Sequence, residues 1–148
     1  MSFRTILAAE LPYLRRYARA VTGSQDLGDA AVRETLEALL LAPAEFDLTK
    51  PPKRELYRIF HHLWHSETIS ALKSAGPIAH LTPRSRQALL LTAVEGFSVS
   101  DTAQILNVSE GAIRADIEAA RTHLADELRS DIMIIEDETI IALHIKSI

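Results

Sequence analysis

The stretch "LTPRSRQALLLTAVEGFSVSDTAQILNVSEGAIRADIEAAR", Leu81 to Arg121, decides how the rest of the chain is read. Thr82 precedes Pro83 as an N-cap before a proline at the first helical position, where the missing N–H forfeits no bond. Ser98 and Asp101 have the spacing of a capping box, and Ser109 is placed to cap a further helix. These signals predict three helices, roughly Pro83 to Glu95, Val99 to Leu106 and Glu110 to Arg129. A tight connection at Leu106-Asn107-Val108 joins the last two, and Ala103, Ile105, Leu106, Val108, Ile113 and Ile117 supply the apolar lock between them. That is helix-turn-helix spacing. A plain helical corner would explain the apolar residues equally well; the caps and the helix in front favour the helix-turn-helix.

Working toward the N-terminus, "KSAGPIAH" reads as a linker, because Gly76-Pro77 ends a helix and proline biases its predecessor away from helix. Residues 75–80 therefore separate a first lobe, 1–74, from a second, 81–129. The first lobe reads as three helices. Leu11 to Val21 has Pro12 in its first turn and stops at Thr22-Gly23. A helix capped by Ser24 carries the stripe Leu27, Ala31, Val32, Leu36, Leu39 and Leu40. A long one from about Lys53 to Lys73 turns Leu56, Ile59, Phe60, Leu63 and Trp64 inward. Toward the C-terminus the pattern changes at Asp131. "IMIIEDE" is a short β-branched run closed by acids, and "TIIALHIKSI" returns to helical spacing, so 130–148 reads as a strand followed by the opening of a helix. The fold class expected is all-α, two helical lobes, with a short strand-helix start of an α/β domain.

Composition sets the outer limits. With 148 residues and 47% hydrophobic content the chain can bury a core, and with no cysteine it has neither a disulfide framework nor a thiolate metal site. No run approaches the length of a membrane span and no signal peptide opens the chain, so a cytoplasmic protein is expected. The net charge of −4 is unevenly spread: residues 75 to 128 hold 4 basic side chains against 7 acidic. The predicted DNA-reading helix, Glu110 to Leu128, holds 2 against 5, with Asp116 and Glu118 between Arg114 and Arg121. A protein that binds duplex DNA derives most of its non-specific affinity from cations placed at phosphates, and this helix opposes that. Serines mostly cap helices, no glycine-rich phosphate loop or nucleophile elbow occurs, and no enzyme is expected. His61 and His65 lie one helical turn apart, but without a third ligand the pair reads as partly buried histidine and not as a metal site.

Leu81 to Arg121 resembles the fourth region of extracytoplasmic-function sigma factors, which binds the −35 promoter element. "VRETLEAL" and "KRELYRIFHHLW" are similar to parts of their second region, which engages the polymerase clamp and the −10 element. The basic cluster that such sigma factors carry after the "LYRI" segment is replaced here by "HHLWHSETISALKS". "DIMIIEDETIIA" looks like the first strand of a response-regulator receiver domain, with Glu136 and Asp137 matching the acidic pair that helps hold Mg²⁺. The later phosphoacceptor aspartate has no counterpart here, so no phosphoacceptor is expected in this chain and Mg²⁺ is expected only in a complete receiver. This order resembles the PhyR family of general stress response regulators.

The resemblance implies a decoy. Phosphorylation of the receiver frees the sigma-like region to bind NepR, a small anti-sigma protein, which then releases the true sigma factor. The partners implied are a NepR-type protein and the receiver domain, with no specific DNA binding and no membrane. Val32, Arg33, Leu36, Glu37 and Leu40 keep the sigma-like, clamp-facing arrangement. Tyr57, Phe60 and Trp64 are candidate aromatic anchors, since large flat side chains dominate interface energetics, although core packing is the competing role for Leu36, Phe60 and Trp64. Arg114, Ile117 and Arg121 are the candidates on the last helix. The alternative reading is a DNA-binding extracytoplasmic-function sigma factor or transcription regulator.

Overall fold

The computed structural model describes residues 2–64 and 81–146, and the side chains among them up to residue 129. The described residues form α1 (Phe3–Thr22), α2 (Gln25–Leu41), a 3₁₀ turn (Pro43–Glu45), α3 (Pro52–Leu63), α4 (Pro83–Leu89) with a π-helical turn (Leu90–Val94), α5 (Val99–Leu106) and α6 (Glu110–Lys146). No strand occurs among them, so the all-α class holds.

Local chemistry fixes most helix ends. The Oγ of Ser24 accepts from Leu27 N–H at 3.2 Å, that of Ser98 from Asp101 N–H at 3.0 Å, and that of Ser109 from Ala112 N–H at 3.1 Å. Thr82 Oγ1 accepts from Ser85 N–H at 3.2 Å ahead of Pro83. Each cap satisfies one of the otherwise orphaned N–H groups of a first turn and contributes about 1 kcal/mol. Asn107 ends α5 at φ 54, with Val108 N–H on Ala103 O at 3.0 Å. Asparagine tolerates this left-handed conformation better than other side chains, which makes the tight turn possible.

Four boundaries differ from the sequence reading. α1 begins at Phe3 with Ser2 as its cap, so Pro12 lies inside the helix. The bond it cannot donate would go to Ala8, and both residues are exposed, so the freed carbonyl lies open to solvent. α3 stops at Leu63, with Trp64 in extended backbone; the remainder of the expected helix to Lys73, and the linker at 75–80, lie outside the described residues. The helix expected to run from Pro83 to Glu95 widens into a π turn at Leu90–Val94. The largest correction concerns 131–146, expected as strand then helix, which continue α6. A lone strand leaves its backbone groups without a ladder, whereas a helix already nucleated at Ser109 satisfies each added residue internally.

The two halves share one core. Leu7, Leu14, Tyr17, Val21, Ala31, Val32, Leu39, Leu56, Tyr57 and Phe60 from α1 to α3 form a single cluster with Leu90, Leu91 and Ile105 from the second half. A smaller cluster of Ala88, Ala103, Ile113 and Ile117 locks α4, α5 and α6, as the sequence pattern required. α1 and α2 pack closely because Gly28 lets the backbone of Ala18 and Arg19 approach: a Cβ there would lie 2.6 Å from Arg19 N.

Candidate partner-binding surface

Across the junction of the two halves runs a polar seam. Glu95 ends the π turn, and Gly96 follows at φ 77, where a side chain would be strained. The Glu95 carboxylate is buried and meets Arg16 at 3.2 Å, the Tyr57 hydroxyl at 3.1 Å and Lys53 at 3.4 Å, while its backbone carbonyl accepts from Lys53 at 3.0 Å. Lys53 Nζ also lies 5.2 Å from the Tyr13 ring centroid and 5.2 Å from that of Phe97, within cation–π range. Burial, and then the facing Glu95, push the Tyr57 hydroxyl well above its ordinary pKa, which keeps it a donor. Arg54 to Asp101 at 3.0 Å and Arg86 to the carbonyl of Val21 at 3.4 Å complete the seam. Three residues of the first half thus converge on one carboxylate of the second.

Beside this seam, Tyr17 shares a hydrogen bond of 2.6 Å with Nε2 of His61. Desolvation lowers the His61 pKa to about 3, so the imidazole is neutral and Nε2 accepts from the hydroxyl. On the outer side of α1, Arg15 and Arg19 both grip Asp29, and the bonds from Arg19 and then Arg15 lower that carboxyl to about 2.

One hollow lies at the junction and another within the first half. A cleft of about 430 Å³ lies where α3 meets α4 and α5, and Arg58, His61, Trp64, Gln87 and Asn107 are among its walls. A groove of about 460 Å³ runs between the end of α2 and α3 past Leu39, Ala42, Ile59 and Leu63. Close to this groove in the chain, Leu40 is 53% and Leu41 88% exposed.

The α2 candidates divide by face. Arg33, Glu37 and Leu40 are exposed, Leu36 is half-buried against the core, and Val32 is buried. Tyr57 and Phe60 are fully buried, so as the molecule stands they are core side chains and not exposed anchors; Trp64 is half-buried on the cleft. On α6, Arg114 and Arg121 are exposed, whereas Ile117 belongs to the smaller core. Helical spacing alone could not separate these, since an aromatic residue on an apolar face serves a core and an interface equally.

Asp116 is not a free acid on the reading face. It holds Arg84 of α4 in a close ion pair, its side chain only 13% exposed, while Glu118 faces solvent. Glu136 and Asp137 are adjacent positions on α6 and not the end of the expected strand. Among the described residues no group of three metal-ligating side chains converges, and no helix is long and apolar enough to cross a membrane. His65, the second histidine of the weighed pair, lies outside the described residues.

Sequence reasoning missed Glu95, Lys53, Arg16 and Gln87. One signal was present: an acid at the C-terminal end of a helix opposes the helix dipole and needs a cationic partner elsewhere.

Comparison with known proteins places this architecture. Residues 7–61 match the model of the Sigma2 domain of PhyR, and residues 78–127 that of the sigma-like domain of the response regulator PhyR. The phyllosphere-induced regulator PhyR of Methylorubrum extorquens is 38% identical over 156 aligned positions, covering all of this chain and 58% of that protein. The chain thus spans little more than half the length of this relative. The RNA polymerase sigma factor EcfG of Rhodopseudomonas palustris, of the ECF class, is 30% identical, with 88% of this chain and 87% of that protein aligned. In the solved complex of PhyRSL with NepR from Sphingomonas sp. Fr1, the matching chain is 40% identical at a TM-score of 0.74, over 85% of this chain and 88% of that one. With both of its halves matched to that family's own domains, the chain belongs to the PhyR family, of which it carries the sigma-like region.

Proposed function

We propose that this chain is a sigma-factor mimic that acts as an anti-anti-sigma factor, binding a NepR-type anti-sigma protein and so releasing the true sigma factor. The observation that carries the reading is the fate of the reading helix. α6 keeps its Ser109 cap and its Ile113 and Ile117 packing, while Asp116 takes the Arg84 guanidinium that would otherwise be free for a phosphate. Shape is kept and cationic chemistry is withdrawn, which suits a surface selected to be recognised by a protein. The solved relative in complex with NepR supports the identity of the partner.

Binding is expected along exposed positions of both halves, with Arg33, Glu37 and Leu40 on α2 and Arg114 and Arg121 on α6 as contacts, and Leu36 and Trp64 at their margins. An amphipathic partner helix laid in the apolar groove beside Leu63 fits this placement. The receiver domain of a full-length protein is the second partner, and Mg²⁺ belongs to that domain and not to this region. The action is stoichiometric, without catalysis or cofactor, in the cytoplasm.

Calorimetry with a purified NepR-type protein tests the reading: a one-to-one complex at micromolar concentration or tighter is expected, and its absence refutes the proposal. A gel-shift titration at low salt separates it from a DNA-binding sigma factor. Specific promoter binding that falls steeply as salt rises would favour the sigma factor.

A further inference from the structure

The cleft between α3, α4 and α5 holds an unmet hydrogen-bond donor. Gln87 is 3% exposed, lines the cleft, and its amide nitrogen has no acceptor. A buried donor without a partner is costly and uncommon in folded proteins, and calls for a reason. Its polar neighbours in the cleft are amides, histidines and an arginine, beside Trp64, Ile105 and Leu106. Gln104 and Asn107 are exposed amides, and His61 and His62 add ring nitrogens. Arg58 gives Nε and one Nη to Glu55, at 3.1 and 2.6 Å, which leaves its other Nη for a further acceptor. Among the described residues no carboxylate lines the cleft. What they offer is donors and neutral amide oxygens, with no charged acceptor.

We propose that the inter-helix cleft at Gln87 receives a carboxylate side chain, Asp or Glu, from the bound anti-sigma partner, with Gln87 and the spare Arg58 nitrogen as the specifying donors. The site rests on the anti-anti-sigma reading above and adds a place and a chemistry to it. A carboxylate presents two oxygens, enough for the Gln87 amide and the Arg58 guanidinium together. Because the cleft joins both halves of the molecule, occupation reports that the two halves are correctly apposed. It gives the partner a means of rejecting a sigma-like protein whose halves are set differently.

The test exploits opposite signs. Gln87→Leu keeps the volume and removes the unmet donor, so the free protein should unfold at a urea midpoint equal to or above that of the wild type. The same change should weaken binding of a NepR-type protein about tenfold by calorimetry, near 1.4 kcal/mol. Aspartates and glutamates of the partner, neutralised one at a time, should include one whose loss weakens binding to the wild type but not to Gln87→Leu. Gln87→Glu, which sets a like charge against the incoming carboxylate, should bind more weakly than Gln87→Leu.

Unchanged affinity in Gln87→Leu overturns the inference while leaving the anti-anti-sigma reading intact. A lowered urea midpoint also overturns it, because the amide would then be engaged within the chain. Failure of the wild type to bind the partner at all defeats the reading and the inference with it.

Discussion

Lowering the pH from 7.5 to 5.5 should destabilise this protein through one side chain, His61. Its imidazole is held at a pKa of about 3 by burial, against 6.5 in the unfolded chain, and Nε2 accepts the Tyr17 hydroxyl. The folded value is the lower of the two, so between pH 6.5 and 3 the unfolded state binds the extra proton and stability rises with pH. The contribution is complete above pH 6.5 and is lost as the pH falls below it. At pH 5.5, one unit below the unfolded value, the loss is about 1.4 kcal/mol, insensitive to the folded value so long as that stays well under 5. For a domain of this size that is a drop of about 3–6 °C in melting temperature.

The control must remove the titration without removing the ring. His61 packs at 5.5 Å from Tyr17 and 5.3 Å from Phe60, so His61→Phe retains the aromatic contacts. It strands the Tyr17 hydroxyl, and the pair Tyr17→Phe with His61→Phe repairs that. Urea unfolding of wild type and double variant at pH 7.5 and 5.5 isolates the term, because other groups contribute equally to both. Parallel pH dependences in the two proteins would refute the argument.

Gly28→Ala should cost about 2–4 kcal/mol by urea unfolding, since the added methyl meets backbone atoms of α1 at 2.6 to 2.9 Å and must push α1 and α2 apart; a loss under about 1 kcal/mol would show that the two helices separate freely. Glu95→Gln should lower stability by about 1–3 kcal/mol, less than a fully buried pair because Arg16 stays 54% exposed. Its signature is positional: added salt should narrow the gap to wild type only slightly, since the Glu95 carboxylate is shielded from solvent.

How much was legible in the sequence depended on whether the signal was local. Ser24, Thr82, Ser98 and Ser109 announce helix starts because a hydroxyl and an N–H three residues away settle the matter between themselves. The pairing of Ala103, Ile113 and Ile117 was readable for the same reason, their spacing across one short turn. Pro12 misled because the carbonyl it frees, on exposed Ala8, lies open to water, which relieves part of the cost of a proline inside a helix. Residues 131–137 misled because β-branched composition favours a strand only when a sheet is present to receive it. Tyr57 and Phe60 carried the chemistry of anchors, yet both lie in a core cluster shared with Leu90 and Leu91 of the second half, where Tyr57 meets Glu95 and Phe97, and no pattern within "KRELYRIF" encodes those contacts.

The acids on and around the reading helix illustrate the limit most clearly. By charge alone Asp116 and Glu118 are equivalent, both hostile to a phosphate backbone. In the fold they do different work. Asp116 is drawn into a pair with Arg84, as Asp101 is with Arg54, Glu95 with Arg16 and Lys53, and Asp29 with Arg15 and Arg19. Arg84 of the predicted DNA-binding half is met by a carboxylate of the same chain, and the pairs at Glu95 and Asp101 reach from one half to the other. Withdrawal of Arg84 and the packing of α4 on α6 therefore share side chains. It follows that reversing Asp116 would free Arg84 and unpin α4 from α6 together, confounding any gain in DNA affinity with a loss of shape. Glu118, solvent-facing and with no ion pair within the described structure, is the position at which charge toward a partner can be changed alone.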